Sequence, residues 1–319
     1  MKVTIIGCGR WGTFLGWYSN KIGNEVLIWG RENSKNLNEL KKNRKNEYLV
    51  INNDIILSNS MEEAISFSEA IIISVSSQYL RDVCKQMNNF DLNGKTIILA
   101  MKGIENNTGL RLTQVVAEVI KQNIKIAVWV GPGHVQSFVD DIPNCMLISS
   151  EDIDTIHRII KIFNSNLIRL YIGQDLIGIE IGAAAKNVIG IAAGMLDGFN
   201  YGSLKGALMA RGSREISRLV TAIGGNELTI YGLSHIGDYE ATLFSKFSNN
   251  RKFGEDFIKG KEFSKLAEGA STVKSLILLS KKYNVDMPIC EAIYSIIYDK
   301  KEPKTVLKNL FLRPTKFEF

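Results

Sequence analysis

The 319-residue sequence predicts an α/β protein in which a doubly wound, mostly parallel sheet is joined to an all-helical second domain. Three observations lead there. Short β-rich runs alternate with helical windows through residues 1–175. A glycine-rich turn follows the first run. After residue 175 the β-rich runs fade and helical spacing dominates. A chain of this length, 45% hydrophobic and 23% charged, favours two domains over one, placed at 1–175 and 176–319.

The strand candidates in order are "KVTII" (2–6), "EVLIW" (25–29), "DIILS" (54–58) and "AIIISV" (70–75), then "TIILA" (96–100), "KIAVWV" (125–130), "CMLIS" (145–149) and "LIRLYI" (167–172). Their near-continuous apolar character fits strands buried on both faces, as helices on either side of a parallel sheet require. Helices are predicted between them. "MEEAISF" is opened by Ser60 with Glu63 in capping-box register, and 111–123 and 152–164 carry apolar residues at helical spacing. In the second half the helical windows are 176–196, 204–223, 268–283 and 289–300, with Pro288 and Pro303 near element boundaries.

Composition narrows the class. Thirty-nine lysines and arginines against 33 acidic residues give +6, dispersed except for "KKNRK" at 41–45, which reads as the solvated end of a helix. This charge attracts anionic small molecules and predicts no nucleic-acid partner. Cys8, Cys84, Cys145 and Cys290 stand too far apart for a zinc site or a disulfide framework, so a reducing cytoplasm is expected and no metal. The chain opens directly on a strand and no uncharged run reaches the roughly 20 residues that span a bilayer, so no membrane partner is expected.

The turn "GCGRWG" carries Gly7, Gly9 and Gly12. In this context the first glycine permits the tight turn, the second lets a diphosphate approach the backbone, and the third lets helix and strand pack closely. The free N–H groups and dipole at the helix start then favour the anion. The expected domain is therefore a Rossmann-like dinucleotide-binding one. The second strand ends "IWGRE"; Arg31 suits a 2′-phosphate, which favours NADPH, and Glu32 leaves NADH open.

Within "IEIGAAAKNVIGIAAGMLDG" (179–198) Lys186 is an oddity, because its helical neighbours at three and four positions are Gly182, Ala183, Ile189 and Gly190. Such an ammonium either reaches out to water or points into a cleft and does chemistry. Three polar clusters could share that cleft: "MKGIE" with Lys102, "GLSHIGDYEAT" with Asp238 and Thr242, and "FSNNRKFG" with Ser248, Asn249, Asn250 and Arg251.

Taken together, "GCGRWGT", "MKGIENNTG", "VGPGH", "AAAKNVIGIAAGMLDG", "ALMARGSREISRL", "GLSHIGD", "NNRKFG", "EGASTVK" and "MPICEAIY" resemble, in order and over almost the whole chain, bacterial-type NAD(P)-dependent glycerol-3-phosphate dehydrogenase. The resemblance implies interconversion of dihydroxyacetone phosphate and sn-glycerol 3-phosphate, homodimers and a place in phospholipid biosynthesis. It makes Lys186 the general acid/base, puts Lys102 against substrate near the nicotinamide and Asp238 beside the catalytic lysine, and leaves Asn187 and Thr242 as supporting polar contacts. It further implies that Gly131, Gly133 and the Ser248–Asn250 segment hold substrate. Arg10, Trp11, Val135, Asn249 and Glu268 would lie along the cofactor.

The chain departs from the family pattern at three places. Asn249 stands where an arginine usually meets the substrate phosphate, and an amide supplies no charged fork. Gly133 replaces a usual serine or threonine, and His235 replaces a common glycine. Arg251 could reach in for the missing arginine. The alternatives are a related NADPH-dependent reductase of another small hydroxy or keto compound, and a non-catalytic NADPH-binding sensor.

Overall fold

Each β-rich run forms a strand in the computed structural model, which describes residues 1–315 together with Phe317 and Glu318. The strands are β1 (Lys2–Ile6), β2 (Glu25–Trp29), β3 (Ile56–Ser58), β4 (Ala70–Ile73), β5 (Thr96–Leu99), β6 (Lys125–Val130), β7 (Asn144–Ser150) and β8 (Ile168–Gly173). They make one sheet in the order β3-β2-β1-β4-β5-β6-β7-β8. Neighbours run parallel except β6 and β7. Because β1 pairs with both β2 and β4, the winding reverses at β1, and such a switch point leaves a crevice at the carboxyl ends of the strands.

Alternating side chains feed two cores. Val3 and Ile5 pack with Phe14, Trp129 and Phe163 on one face, whereas Ile6, Ile71 and Ile73 pack with Leu80, Val83 and Val116 on the other. The covering helices are α1 (Arg10–Lys21), α2 (Lys35–Asn43), α3 (Met61–Phe67), α4 (Leu80–Met87), α5 (Leu112–Val119), α6 (Val135–Val139) and α7 (Ile153–Phe163).

Local expectations need three corrections. Only half of the capping box at α3 forms: Ser60 Oγ accepts the Glu63 N–H at 3.2 Å, but the Glu63 carboxylate accepts from Ser58 Oγ instead of turning back to Ser60. The window 111–123 stops as a helix at Val119, because Ile120 turns extended and buries its side chain in the core. In "KKNRK", Lys41 and Lys42 are solvated at the end of α2. Arg44, however, takes φ 53 and donates to the carbonyls of Asn52 and Ile55, pinning the following loop.

The second half is built around α8 (Leu176–Gly198), followed by α9 (Lys205–Ile223), α10 (Asn249–Ile258), α11 (Glu268–Tyr283), α12 (Pro288–Ile297) and α13 (Pro303–Phe311). Pro288 and Pro303 sit at the first positions of their helices, where the missing N–H costs nothing. By length and composition α8 could cross a membrane, yet it is buried inside the protein from Gly178 to Leu196.

Its glycines explain how. A Cβ at Gly194 would lie 1.8 Å from the Arg251 carbonyl oxygen, and one at Gly254 of α10 would lie 2.1 Å from that of Ile191. Helices α8 and α10 therefore touch backbone to backbone. Likewise, Gly269 of α11 leaves room for the Asn187 carbonyl, 2.4 Å from where a Cβ would sit.

The two halves are clamped through Glu180. Its carboxylate accepts from Arg111 Nη1 at 2.5 Å, Thr113 N at 2.9 Å and Thr113 Oγ1 at 2.7 Å, fastening the start of α5 to α8. Burial pushes this carboxyl upward, and the Arg111 guanidinium opposes the shift.

Candidate active site

The glycine turn divides its labour as expected. Gly7 takes φ +117, and a Cβ there would meet the Ser74 carbonyl oxygen at 2.4 Å. A Cβ at Gly12 would meet the Gly7 carbonyl oxygen at 2.0 Å. At Gly9, by contrast, nothing lies within 4 Å. That open approach stands at the start of α1, where no side chain caps the helix, so the residues present fit a dinucleotide diphosphate.

Arg10 is the first residue of α1; it donates to Gln136 Oε1 at 2.6 Å and lies 4.6 Å over the Tyr48 ring. Trp11 packs on Phe14 and Phe138, and Val135 is buried at the start of α6. Arg31 is exposed just beyond β2, 5.6 Å over the Tyr79 ring. Glu268 opens α11, accepts from Ser77 Oγ at 2.9 Å, and has its carboxyl pushed up by burial.

Lys102 follows β5 and Gly131 follows β6, so both stand at the same carboxyl edge of the sheet. Lys186 comes from α8, Asp238 from the single turn Ile236–Asp238, and Thr242 from a π-helical turn over Glu240–Phe244. The folding of these segments brings all five residues together. Lys186 Nζ lies 2.7 Å from Asp238 Oδ2 and donates to Thr242 Oγ1 at 2.6 Å. Lys102 Nζ lies 2.6 Å from the same carboxylate oxygen and donates to the Gly131 carbonyl at 2.9 Å.

This answers the oddity of Lys186. Its partner is not on its own helix but 52 positions on, and the residue is 6% exposed. Burial lowers its pKa from 10.5 to about 7; Asp238 opposes the shift and Lys102 adds to it.

The remaining expected substrate residues are placed differently from one another. Gly131 and Gly133 take φ of +139 and +144, and a Cβ at Gly133 would strike the Phe138 ring at 2.3 Å. A serine or threonine at 133 would therefore be strained by the backbone and crowded by Phe138. Ser248 caps α10 by accepting the Arg251 N–H at 3.3 Å, and Asn249 Nδ2 donates to the Leu266 carbonyl at 3.2 Å. Asn250 bridges three elements: its Nδ2 donates to Asn187 Oδ1 at 3.1 Å, and its Oδ1 accepts the Gly269 N–H at 2.9 Å. Arg251 is committed elsewhere, to Asp197 at 2.6 Å, Glu255 at 3.2 Å and the Ser245 carbonyl at 3.2 Å.

His134 escaped the sequence reading, although "VGPGH" contains it. Burial lowers its pKa to about 4, with Arg10, Lys186 and Lys102 adding to the shift and Asp238 opposing it, so the ring is neutral. Among the described residues its Nε2 has no hydrogen-bond partner, and its ring stands edge-on to Phe247 at 5.7 Å.

A dinucleotide turn at the switch point of a parallel sheet, facing a buried lysine poised near neutral pKa, defines a nicotinamide-dependent oxidoreductase. Comparison with known proteins narrows this. Residues 2–156 match the model for the NAD-dependent glycerol-3-phosphate dehydrogenase N-terminus, and residues 175–308 match that for the C-terminus. The chain belongs to this family.

Among curated relatives, glycerol-3-phosphate dehydrogenase [NAD(P)+] of Clostridium botulinum (strain Eklund 17B / Type B) is 37% identical over 330 residues, covering 99% of each chain. That of Fusobacterium nucleatum is 34% identical, covering 100% of this chain and 98% of the relative. The crystal structure of glycerol-3-phosphate dehydrogenase from Coxiella burnetii superposes with a TM-score of 0.92 at 26% identity, covering 98% and 99%. A ketopantoate reductase from Ralstonia eutropha shares the fold alone, with a TM-score of 0.62 at 14% identity and coverage of 97% and 99%.

Proposed function

We propose that this chain interconverts dihydroxyacetone phosphate and sn-glycerol 3-phosphate, with Lys186 as general acid and base. The observation that carries this reading is the cluster in which one Asp238 oxygen meets both Lys186 and Lys102 at 2.7 and 2.6 Å. When bound, the nicotinamide supplies or takes the hydride.

The residues divide the rest of the work. Thr242 Oγ1 donates its hydrogen to the Asp238 carbonyl at 2.7 Å, so it must accept from Lys186. With one N–H on Asp238 and one on Thr242, a Lys186 ammonium keeps its third for the substrate oxygen. As ammonium it protonates the oxygen during ketone reduction; as amine it takes the alcohol proton in reverse. Lys102, held by Asp238 and the Gly131 carbonyl, also keeps one N–H, aimed at stabilising the negative charge that develops on that oxygen.

Further assignments belong to the same reading. Residues 1–175 form the dinucleotide-binding unit and 176–319 the substrate unit. Gly7, Gly9, Arg10, Trp11, Gly12, Lys102, Val135, Asn249 and Glu268 contact the cofactor. Exposed Arg31 takes the 2′-phosphate of NADPH, with Glu32 leaving room for NADH. Substrate meets Lys102, Gly131, Gly133, Lys186, Asn187, Asp238, Thr242 and the Ser248–Asn250 segment. The protein acts as a cytoplasmic homodimer serving phospholipid biosynthesis; its native mass by light scattering checks the dimer.

A second reading, reduction of an unphosphorylated ketone, is favoured by the uncharged Asn249 and by the commitment of Arg251 to Asp197 and Glu255. Steady-state kinetics separate the two. The first expects NADPH oxidation with dihydroxyacetone phosphate at a kcat/KM well above that with dihydroxyacetone; the reverse order sinks it. NADPH binding without turnover of any ketone would favour a sensor instead.

A further inference from the structure

We propose that His235 is a positioning residue for proton transfer, a neutral imidazole that locks the loop bearing Asp238 onto the helix bearing Lys186. This deepens the reading above, resting on Lys186 as the proton-transfer group. His235 is 0% exposed, and its Nδ1 lies 2.8 Å from the Gly182 carbonyl oxygen. A carbonyl only accepts, so Nδ1 carries the hydrogen. Burial lowers the ring's pKa to about 4; the Gly182 bond and Asp238 oppose the shift and Lys186 adds to it. The ring is neutral at pH 7, which makes Nε2 an acceptor. Tyr239 Oη, 2.6 Å away, therefore donates to it, and Ser213 Oγ donates to Tyr239 Oη at 3.2 Å. Every hydrogen in the chain has a direction, and its three side chains are each at most 1% exposed.

What this chain grips is the catalytic cluster. Gly182 lies one helical turn before Lys186, and in the α8 ladder its carbonyl is also the acceptor of the Lys186 backbone N–H. His235 precedes Asp238 by three positions and Tyr239 follows it directly. The turn Ile236–Asp238 is thus held on both sides, to α8 through Gly182 and to α9 through Ser213. The surrounding loop is folded on itself by short-range backbone hydrogen bonds, the Gly237 and His235 N–H groups to the Gly232 carbonyl and the Asp238 N–H to the His235 carbonyl, and the His235 and Tyr239 side chains fasten that local turn to the helices. Drift of Asp238 away from Lys186 would remove the attraction that keeps the amine from falling further in pKa.

The test reads Lys186 directly. In protein carrying ¹³Cε-lysine, the Lys186 resonance is assigned by its loss in Lys186→Met and titrated by NMR. His235→Gln, which cannot place a donor where Nδ1 stands, is expected to lower the Lys186 pKa by at least about half a unit. His235→Asn places its amide N–H near the Nδ1 position but gives up the acceptor of Tyr239, so it is expected to shift the pKa less than His235→Gln and by about as much as Tyr239→Phe. Tyr239→Phe, with almost unchanged volume, should shift it the same way as His235→Gln but less; if His235→Gln does not fold, this variant decides.

An unchanged Lys186 pKa in His235→Gln, or in Tyr239→Phe where that variant decides, overturns the proposal, as does a His235→Asn shift equal to that of His235→Gln. Kinetics give a second readout, a roughly tenfold fall in kcat for His235→Gln with KM within about twofold. A parent without turnover of dihydroxyacetone phosphate would sink the proposed substrate, while the titration would still decide the role of His235.

Discussion

Replacing Asp238 by asparagine isolates the charge of the cluster from its shape. Asparagine keeps an acceptor oxygen for Lys186, so the substitution removes one negative charge and leaves two ammonium groups facing each other. Unit charges 2.7 Å apart attract by about 6 kcal/mol at an effective dielectric of about 20. Breaking buried pairs typically costs roughly 3–5 kcal/mol, equivalent to roughly 2–4 pKa units. Starting from about 7, Lys186 would then fall to about 5 or below.

The sign follows from the role. Reduction needs the ammonium, so its rate falls as pH rises through the Lys186 pKa; oxidation needs the amine and rises through the same pKa. At pH 7 the ammonium fraction drops from about one half to about one per cent, and ketone reduction drops roughly 50-fold. The assay is kcat/KM for ketone reduction from pH 4.5 to 9. The descending limb should move from near pH 7 in the parent to about pH 5 in Asp238→Asn. A limb within half a unit of the parent's would refute the electrostatic role of Asp238.

Four further variants have expected outcomes. Lys186→Met should lower kcat by roughly 10²–10⁴ with NADPH affinity within a few-fold, checked by steady-state kinetics and fluorescence titration. Because the folded pKa of Lys186, about 7, lies below its ordinary 10.5, the cost of burying the ammonium is full below pH 7 and shrinks toward pH 10.5. The same variant should therefore melt no lower than the parent at pH 6, with any gain fading as pH rises. Gly9→Ala should fold with unchanged Tm, since a methyl there meets nothing, yet weaken NADPH binding more than about tenfold by blocking the diphosphate. Glu180→Ala should lose roughly 3–5 kcal/mol in urea unfolding, because Arg111 and the Thr113 N–H lose their buried acceptor. Asn249→Arg should lower KM for dihydroxyacetone phosphate, and an unchanged or higher KM would speak against a phosphate subsite there.

The sheet and the nucleotide turn were legible because both are written locally. Apolar runs such as "AIIISV" mark strands covered on both faces, and the roles of Gly7, Gly9 and Gly12 follow from which backbone each must admit. Lys186 was legible by what its helix lacked.

What could not be read depends on which side chains the fold sets against one another. The Glu63 carboxylate found Ser58 rather than the cap, and Ile120 left its helix for the core. His235 reaches Gly182 across 53 positions, and the Phe138 ring crowds the space beside residue 133. Arg251 looked available in sequence because Asp197 becomes its neighbour only when α8 and α10 cross, adding to the hold of Glu255 one turn along α10.

That crossing has a consequence for how relatives are recognised. Of the glycines in "KNVIGIAAGMLDG", Gly194 is held in place by the meeting of two main chains and Gly198 by the packing of Ile258, while Gly190 leaves room for the Thr242 methyl; none of them carries a proton or hydride. A homologue retrieved on those glycines keeps the means to pack its helices, which says nothing of its chemistry. A dead enzyme could keep every one of those glycines, so whether a retrieved sequence still turns over is to be judged at positions 102, 186 and 238.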